Sequence, residues 1–532
     1  MRELLSIISV VGLLALTYGI WRIVVWLQES APSESNSVRG RKLLAYEDAH
    51  NLALADVERS SDQRSYPWGG IPVSAKSALG HFVAIGAPGA GKTIMVRQLL
   101  RAALQQMQDG DRCVIFDMKG DYWPFIRSHC GGGSFMAERD AALIHPFCDS
   151  TPAWDVAADA SPLDDDAVCA GLLPSDATDR NPHFTAACRQ LLAAVMAAFR
   201  KLGGTWTLWD LVVACSSEAN LQLLGRAAKL PDIANRLASK GNEKGSVLGS
   251  VSTATNHLRI PAALWKRSLL ENNRFSLTDW MEGRGPRVLV LGYDTNKQES
   301  LQPLIQALLS RIIADLLAGA EHEHAPKTWM FLDELPLAGR IDKLSHLLNT
   351  ARSKGIATVI GTQSVNMLNI PALYPGTETP AILANPRNRA FLRTSDNESA
   401  QWMANQIGKR EAYESGFSSG QGWSQQGGRS TQEGTDARLQ ERFLIHPDEF
   451  KDTPSPDEQT PLIGSFESFH GVWQGAIPPS QFPQRPGGGF PPKAPSDDLP
   501  ESLQWTAADR ERLRLPAATD QPTTTPERPP LQ

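Results

Sequence analysis

The stretch HFVAIGAPGAGKT, residues 81–93, decides the fold of this chain. Residues 81–85 form a short apolar run that predicts a buried strand, and the residues after the stretch, 94–107, predict a helix. A glycine-rich loop between a strand and a helix lets backbone N–H groups surround phosphates at the helix N-terminus. The sequence therefore predicts a nucleotide-binding site. The loop fits the pattern GxxxxGK followed by Ser or Thr without a mismatch, and it consists of Gly86, Ala87, Pro88, Gly89, Ala90, Gly91, Lys92 and Thr93.

Two side chains of this loop have predicted roles in binding ATP with Mg²⁺. Lys92 is expected to contact the β- and γ-phosphates, and the Thr93 hydroxyl is expected to ligate Mg²⁺. The second half of such a site is an apolar strand that ends in acids, and residues 329–334, WMFLDE, supply it. There Asp333 is expected to hold Mg²⁺, and Glu334 to polarise the water that attacks the γ-phosphate. The alternative is a strand that ends in two solvated carboxylates.

Further apolar runs alternate with helices, which indicates an α/β fold with a mainly parallel sheet. Ligands bind at the carboxyl ends of such strands, and Asp117, Asp333 and Gln363 fall at these ends. Gln363 is a candidate sensor of the γ-phosphate, and the alternative is a polar strand end without a role. The predicted strands are residues 112–117, 287–292, 356–362 and 388–394, and two of the predicted helices are residues 299–318 and 397–407.

Composition limits the class of protein. The 532 residues are 41% hydrophobic and 21% charged, with a net charge of −6. These values exclude a wholly disordered, collagen-like or rod-like chain, and the length predicts two or three domains. The acidic balance excludes a protein that coats nucleic acid with its whole surface. The six cysteines show no CxxC spacing, which argues against a zinc ribbon or a disulfide scaffold and favours a reducing compartment.

The amino terminus carries an almost continuous apolar run over residues 4–27, interrupted by Arg22. A run of this length spans a bilayer core of about 30 Å, so it predicts a single transmembrane anchor over residues 1–30. A cleaved signal peptide is the alternative, which the length of the run and the poor cleavage site disfavour. Three basic residues lie within positions 39–42, and the positive-inside rule therefore predicts that the remaining chain is cytoplasmic.

Residues 161–282 predict an all-helical domain inserted between strands of the sheet, because amphipathic stretches such as residues 184–201 recur along it. Within it, residues 222–280 hold nine lysines and arginines against four acids. Such a patch suits DNA phosphates, although a solvated helical face is the alternative.

Two segments have the composition of loops. Residues 414–436 are rich in Gly, Ser and Gln, which predicts a flexible loop or hinge. Residues 478–532 hold 13 of the 37 prolines, and residues 481–532 are therefore predicted to be a disordered tail that contributes no core.

With these motifs in place, several stretches resemble the type IV coupling proteins, the TraD/TraG-like ATPases of conjugative transfer and type IV secretion. The resemblance covers residues 1–480 and leaves the tail unmatched. The matching stretches are WGGIPV (68–73), DMKGDY (117–122), HPFCDSTPAWDV (145–156), FSLTDWMEGRGPRVLVLGYD (275–294), FLDELPLAGRIDKLSHLLNTARSKGI (331–356) and NRAFLRTSDNESAQWMANQIGKRE (388–411).

The resemblance implies a membrane-anchored RecA-like P-loop ATPase whose motor domain comprises residues 31–160 and 283–480. It implies a homo-hexameric ring in the cell inner membrane, which recruits the relaxase with its single-stranded DNA and moves this substrate into the secretion channel. It also implies that the helical domain touches DNA near the channel entrance. Many members have two transmembrane helices around a periplasmic domain, whereas this chain shows one. Its tail also lacks the long acidic extension of some members.

An arginine from a neighbouring subunit is expected to complete the site, because a lone phosphate loop leaves the charge on the γ-phosphate under-neutralised. The candidates are Arg352, Arg387, Arg389 and Arg393. We favour Arg389, which falls where the family's strand-start arginine lies, at the head of NRAFLRT. The alternative is a surface arginine that pairs with a nearby acid.

Two other functions remain open at this point. One is a DNA translocase of the FtsK/HerA kind, although the several membrane helices and the winged-helix module usual in FtsK-type motors are not visible in the sequence. The other is a receptor that delivers effector proteins to a secretion system without transporting DNA. DNA-stimulated ATPase activity separates the first of these from the second, and dependence on a secretion channel separates a coupling protein from an FtsK-like motor.

Overall fold

A computed structural model of the chain describes residues 37–173, 182–230, 233, 249, 251–253, 255–322, 324–369, 373–374, 377–423, 429–484, 487–492, 499–500 and 502–517. The predicted membrane anchor lies outside these residues. The chain divides into two compact units, Met1–Lys42 with Ala404–His446 and Leu43–Met403 with Pro447–Gln532. This division keeps the predicted helical domain, residues 161–282, in one unit with the sheet.

The strands are numbered in chain order. They are β1 (Ser37–Gly40), β2 (Leu43–Leu44), β3 (Ser65–Trp68), β4 (Ile71–Ser74), β5 (Phe82–Ile85), β6 (Arg112–Asp117), β7 (Ala141–Ile144), β8 (Ala153–Trp154), β9 (Arg274–Phe275), β10 (Val288–Gly292), β11 (Thr328–Leu332), β12 (Ile356–Thr362), β13 (Asn388–Phe391), β14 (Lys409–Trp423), β15 (Arg429–Phe443), β16 (Leu462–Ser468) and β17 (Gly471–Ile477).

The helices are identified by their bounds. The α-helices are Tyr46–Arg59, Ala75–Ala78, Lys92–Gln105, Tyr122–His129, Ala137–Asp140, Val156–Asp159, Asp165–Leu172, Pro182–Leu202, Leu208–Cys215, Glu218–Ala228, Arg259–Leu270, Leu277–Met281, Gln298–Ala318, Leu344–Thr350, Glu378–Ala384, Asn397–Ile407, Glu449–Asp452 and Ala507–Arg512. Short 3₁₀ helices lie at Thr295–Lys297, Leu335–Ala338, Ala351–Lys354 and Pro479–Gln481.

The larger unit is built around a ten-stranded sheet with the order β2-β17-β16-β13-β5-β12-β11-β6-β10-β7. From β13 to β7 all neighbouring strands are parallel, whereas β16 pairs antiparallel with both β13 and β17. The predicted mainly parallel sheet is thus confirmed, and the strands predicted at 112–117 and 356–362 match β6 and β12 residue for residue. This order places the carboxyl ends of β5, β12, β11 and β6 side by side, where the loops of a binding site can meet.

The central strands are apolar on both faces. Every residue of β5, β11 and β12 is buried. On one face, Phe82, Ile115 and Phe331 share a core with Leu99 and Phe125, which lie on the helices that follow β5 and β6. Parallel strands covered by helices on both faces read as continuous apolar runs rather than as alternation, which is why the sequence revealed them.

The helical insertion begins and ends beside a separate two-stranded sheet, in which β8 and β9 pair in parallel. There the buried Asp159 carboxylate accepts hydrogen bonds from the Trp154 indole N–H and the Ser276 hydroxyl, both at 2.7 Å. Just beyond, Gly171 approaches the long helix that contains Ala307 so closely that a Cβ at position 171 would lie 2.1 Å from the Ala307 Cα. The insertion is therefore seated firmly on the sheet unit.

Part of the tail packs on helices of the insertion. The prediction of disorder over residues 481–532 is therefore wrong for residues 502–517. This segment buries Trp505, Leu513 and Leu515. Its helix Ala507–Arg512 begins with a capping box. Only one proline, at position 516, lies within the segment. Averaging the proline content over the whole tail therefore hid a short amphipathic stretch that can bury apolar surface.

The stretch 414–436, predicted to be a flexible loop, lies largely within β14 and β15. These strands pair antiparallel from Lys409 with Phe443 to Trp423 with Arg429, and with β1 they form the three-stranded sheet of the smaller unit. Backbone hydrogen bonds build an antiparallel ladder, and residues such as Gly, Ser and Gln do not produce the apolar alternation from which a strand is predicted.

Among the described residues, one helical stretch, Thr295–Ala318, is long and apolar enough to cross a membrane. Of the 18 consecutive residues that meet this criterion, 67% are buried inside the protein. All six cysteines are buried, and none forms a disulfide.

Candidate functional site

The loop predicted to hold phosphates joins the end of β5 to the helix Lys92–Gln105. Gly89 and Gly91 adopt φ angles of +76° and +97°, a region that favours glycine. At Gly91 space is also restricted, because a Cβ there would lie 2.4 Å from Cδ1 of Leu462. The backbone N–H of Ala87 donates to the carbonyl of Arg393 at 2.8 Å. The loop is thereby held against the strand end beside it.

Lys92 begins the helix and points back into the loop. Its Nζ donates to the carbonyl oxygen of Gly86 at 2.5 Å and lies 3.4 Å from Oε1 of Glu334. Burial lowers the pKa of Lys92, while the neighbouring carboxylates of Glu334 and Asp333 act to raise it. The two predicted halves of the site, the loop and the acidic strand end, are therefore in contact.

The acids follow β11, which is separated from β5 by β12 alone. Glu334 has a φ of +59°, a left-handed conformation that costs a residue with a side chain about 1–2 kcal/mol. This turn ends the strand and brings the carboxylate to Lys92. Asp333 lies against β12, where a Cβ at Gly361 would come within 2.2 Å of Asp333 Oδ1. A glycine at position 361 is therefore required for this packing.

Both acids carry a buried oxygen atom that has no hydrogen-bond partner among the described residues, namely Asp333 Oδ1 and Glu334 Oε2. An unpaired buried oxygen costs free energy. Oxygen donors of this kind are the ligands that Mg²⁺ prefers, directly or through its waters, and Mg²⁺ is usually held by one or two carboxylates together with substrate phosphates. The donor set therefore fits Mg²⁺ bound with a nucleotide.

A third strand end contributes Asp117, the last residue of β6. Its buried carboxylate accepts hydrogen bonds from the backbone N–H groups of Asp121, Tyr122 and Trp123 at 2.9–3.0 Å. Burial raises the pKa of Asp117 to about 6, and these three hydrogen bonds oppose the rise. Asp117 thus organises the start of the helix Tyr122–His129 rather than facing a ligand directly.

Tyr122 was missed by the sequence reasoning. Its hydroxyl donates to Asp333 Oδ2 at 2.7 Å across 211 positions of sequence. Burial raises the pKa of Tyr122, and the negative charge of the Asp333 carboxylate raises it further. The residue stands inside the quoted stretch DMKGDY, but no residue spacing connects it with Asp333. The contact depends on the adjacency of β6 and β11 in the sheet.

Tyr122, Asp333 and Glu334 line one cleft at the carboxyl ends of the strands. Gln363 follows β12 at the same edge of the sheet and is half-buried, and its role as a sensor stays a prediction. The cleft is lined by Thr93, Met118, Lys119, Asp121, Tyr122, Asp333 and Glu334.

Arg389 lies elsewhere. It is the second residue of β13 and pairs with Val83, the second residue of β5. Arg389 therefore lies near the amino end of β5, whereas the phosphate loop follows the carboxyl end of that strand. Its guanidinium donates to the carboxylate of Glu467 at 3.2 Å and to the carbonyl of Ala384 at 2.9 Å. Within this subunit it therefore pairs with an acid, and a role in a neighbour's site stays a prediction. Of the other candidates, Arg393 is the one whose backbone contacts the phosphate loop.

The fold and site can be compared with known proteins. Residues 65–457 match the family described as the type IV secretion-system coupling protein DNA-binding domain. Coupling protein TraD of Escherichia coli strain K12 is 26% identical over 398 residues, which are 73% of this chain and 52% of TraD. The chain thus spans about half the length of this curated relative.

Solved structures with the same fold include the conjugative coupling protein TrwBdeltaN70, with a TM-score of 0.65 and 19% identity over 86% of this chain and 96% of that one. The plasmid coupling protein TrwB in complex with ADP and Mg²⁺ also has a TM-score of 0.65 and 19% identity, over 86% of this chain and 98% of that one. These matches establish a RecA-like nucleotide-binding fold with a mostly parallel sheet.

The family match begins at the strand β3 and runs through the phosphate loop, the two acids that follow β11 and the whole helical insertion. It covers most of the chain, and the fold agrees with it. The chain therefore belongs to the family of type IV secretion-system coupling proteins.

Proposed function

We propose that this protein is the ATPase of a conjugative or type IV secretion system, a coupling protein that binds ATP with Mg²⁺ and uses hydrolysis to drive transfer. The observation that carries the proposal is the meeting of the phosphate loop with the acidic strand end, seen in the 3.4 Å contact between Lys92 and Glu334. The complexes of TrwB with ADP and Mg²⁺ and with an ATP analogue support the choice of nucleotide.

In this proposal the backbone N–H groups of residues 86–93 surround the phosphates at the helix N-terminus. Lys92 moves from the Gly86 carbonyl to the β- and γ-phosphate oxygens, for which its charge is a better partner. Thr93 and Asp333 hold Mg²⁺, Thr93 through its hydroxyl and Asp333 directly or through water. Mg²⁺ supplies positive charge that offsets the charge developing on the phosphates.

Glu334 is the proposed general base. Its carboxylate accepts a proton from the water that attacks the γ-phosphorus, and its buried Oε2 is available for this hydrogen bond. Gln363, at the end of the neighbouring strand, is proposed to bind the γ-phosphate and report its loss. Arg389 of an adjacent subunit in a hexameric ring is proposed to complete the charge compensation.

The proposed substrate of the motor is single-stranded DNA with its relaxase, delivered to a secretion channel. The basic stretch 222–280 of the helical insertion is the proposed DNA contact, although part of its charge is compensated. Lys266 pairs with Asp509 at 2.8 Å and Arg274 with Asp155 at 3.0 Å. A narrower DNA contact than the sequence suggests is therefore expected. The proposed location is the inner membrane, with one amino-terminal span and a cytoplasmic motor.

The test combines transfer and hydrolysis. Lys92→Ala should abolish both conjugative DNA transfer and ATPase activity, whereas Lys76→Ala, an exposed lysine on a short helix, should change neither. Single-stranded DNA should stimulate the wild-type ATPase. A different result would instead favour a receptor for effector proteins. In that case the wild type transfers no DNA and its ATPase is not stimulated by DNA, while Lys92→Ala cells lose the delivery of effector proteins. DNA stimulation without dependence on a secretion channel would favour an FtsK/HerA-like motor.

A further inference from the structure

Tyr122 and Asp333 form a buried pair at the floor of the proposed nucleotide cleft. The Tyr122 hydroxyl donates to Asp333 Oδ2 at 2.7 Å, and both side chains line the cleft. Tyr122 is 3% exposed and Asp333 9% exposed, so water competes little for this hydrogen bond. A bond from a neutral donor to a carboxylate is stronger than one between neutral groups.

Each partner of the pair is held independently of the other. The backbone N–H of Tyr122 donates to Asp117 Oδ2 at 3.0 Å, which fixes the first turn of its helix to the end of β6. Asp333 follows β11, the strand that pairs with β6. The tyrosine hydroxyl is therefore presented to the carboxylate from a rigid position and does not rely on a mobile loop.

The carboxylate of Asp333 is confined on two sides. Oδ2 is bound by the Tyr122 hydroxyl, and Oδ1 lies beside Gly361, where even a Cβ would come within 2.2 Å. Rotation about the side chain would break the hydrogen bond on one side or collide with β12 on the other. Because each carboxylate oxygen has two lone pairs, Asp333 can still accept from a metal-bound water while it is held in this way.

From this arrangement we infer that Tyr122 is a positioning residue for Mg²⁺, which acts by holding Asp333 in the orientation that receives the ion. The inference rests on the proposed ATPase function. Groups that orient a metal ligand without touching the metal commonly change metal affinity or activity by about 10–100-fold when they are removed. Among the described residues the hydroxyl of Tyr122 hydrogen-bonds to Asp333, so its removal should weaken the Mg²⁺-dependent part of nucleotide binding and spare the rest.

The test uses the full chain in detergent and a fluorescent, non-hydrolysable ATP analogue, whose affinity is measured with Mg²⁺ and with EDTA. Tyr122→Phe keeps the ring and removes only the hydroxyl. It should reduce the gain in affinity caused by Mg²⁺ about tenfold, and leave the affinity in EDTA unchanged. Tyr293→Phe is the matched control, because its hydroxyl is buried without a hydrogen-bond partner among the described residues and its ring packs on Phe116. It should leave both affinities unchanged.

A second measurement asks whether Tyr122 acts through Asp333. In an Asp333→Ala background, adding Tyr122→Phe should cause no further loss of Mg²⁺-dependent affinity, since two residues that act as one unit are not additive. An unchanged Mg²⁺ effect in Tyr122→Phe, or an equal loss of affinity in EDTA, would overturn the inference while leaving the proposed function intact. Failure of the wild-type chain to bind the analogue under either condition would overturn the proposed function, and the inference with it.

Discussion

Removing the side chain of Arg512 should destabilise the helical insertion, because Arg512 pairs with Asp210 of the insertion, more than 300 residues away in sequence. The guanidinium makes a two-pronged contact with Asp210, with N···O distances of 2.8 and 2.9 Å, and one of its nitrogens also donates to Asp509 at 2.9 Å. Asp210 is 0% exposed, whereas the Arg512 side chain is 16% exposed. Arg512→Ala would therefore leave a fully buried carboxylate without its cation.

The expected cost follows from what remains around Asp210. Breaking a buried ion pair from one side costs about 3–5 kcal/mol. Two hydrogen bonds from Thr207, through its backbone N–H and hydroxyl at 2.8 Å, would persist. Water could also enter where Arg512 had been. We therefore expect about 3 kcal/mol, which is roughly a 100-fold change in an opening equilibrium at about 1.4 kcal/mol for each factor of ten.

Hydrogen–deuterium exchange measures this opening locally, which avoids treating a two-unit protein as two-state. Amides of the helix Leu208–Cys215 should exchange roughly 100-fold faster in Arg512→Ala than in the wild type. Arg510→Ala is the matched control, because Arg510 lies on the same helix as Arg512 and its guanidinium donates to the carbonyl of Pro516 within its own segment. Exchange in Arg512→Ala that stays close to the wild-type rate would refute the reasoning. Truncation after Ile477, which also removes Trp505, should have a larger effect.

The remaining predictions concern the site. Lys92→Ala should abolish ATP hydrolysis and leave the circular dichroism spectrum unchanged, and activity above about a tenth of wild type would contradict its role. Glu334→Gln should bind ATP but lower turnover about 100-fold or more, and loss of nucleotide binding would mean that the roles of Glu334 and Asp333 are wrongly divided. Arg389→Ala and Lys92→Ala subunits, each inactive alone, should regain partial ATPase activity when mixed if Arg389 acts in a neighbour's site. Arg59→Ala, at an exposed arginine outside the site, is the surface control, and an inactive mixture of assembled subunits would exclude that role.

Much of the site could be predicted because its two halves are local patterns. The loop at 86–93 is a consecutive string between a strand and a helix, and the acids at 333 and 334 directly follow an apolar strand. In both cases neighbours along the chain determine the chemistry. The parallel strands were equally visible, because burial on both faces requires continuous apolar runs.

The packing of the segment 502–517 could not be predicted in this way. Trp505, Leu513 and Leu515 are spread through a tail whose average composition is that of a disordered chain. Their burial depends on a surface made by helices more than 200 residues earlier. The same distance hid the ion pair of Arg512 with Asp210, because nothing close to either residue in sequence indicates a partner.

The amino-acid sequence alone predicted a nucleotide site and determined the sheet class, because phosphate binding and two-sided burial are properties of short consecutive stretches. The tertiary structure decided which side chains meet across strands. Tyr122 reaches Asp333 because β6 lies beside β11, and Arg389 pairs with Glu467 because β13 lies beside β16. Strand order sets such contacts, and it results from the packing of the whole unit rather than from any local pattern.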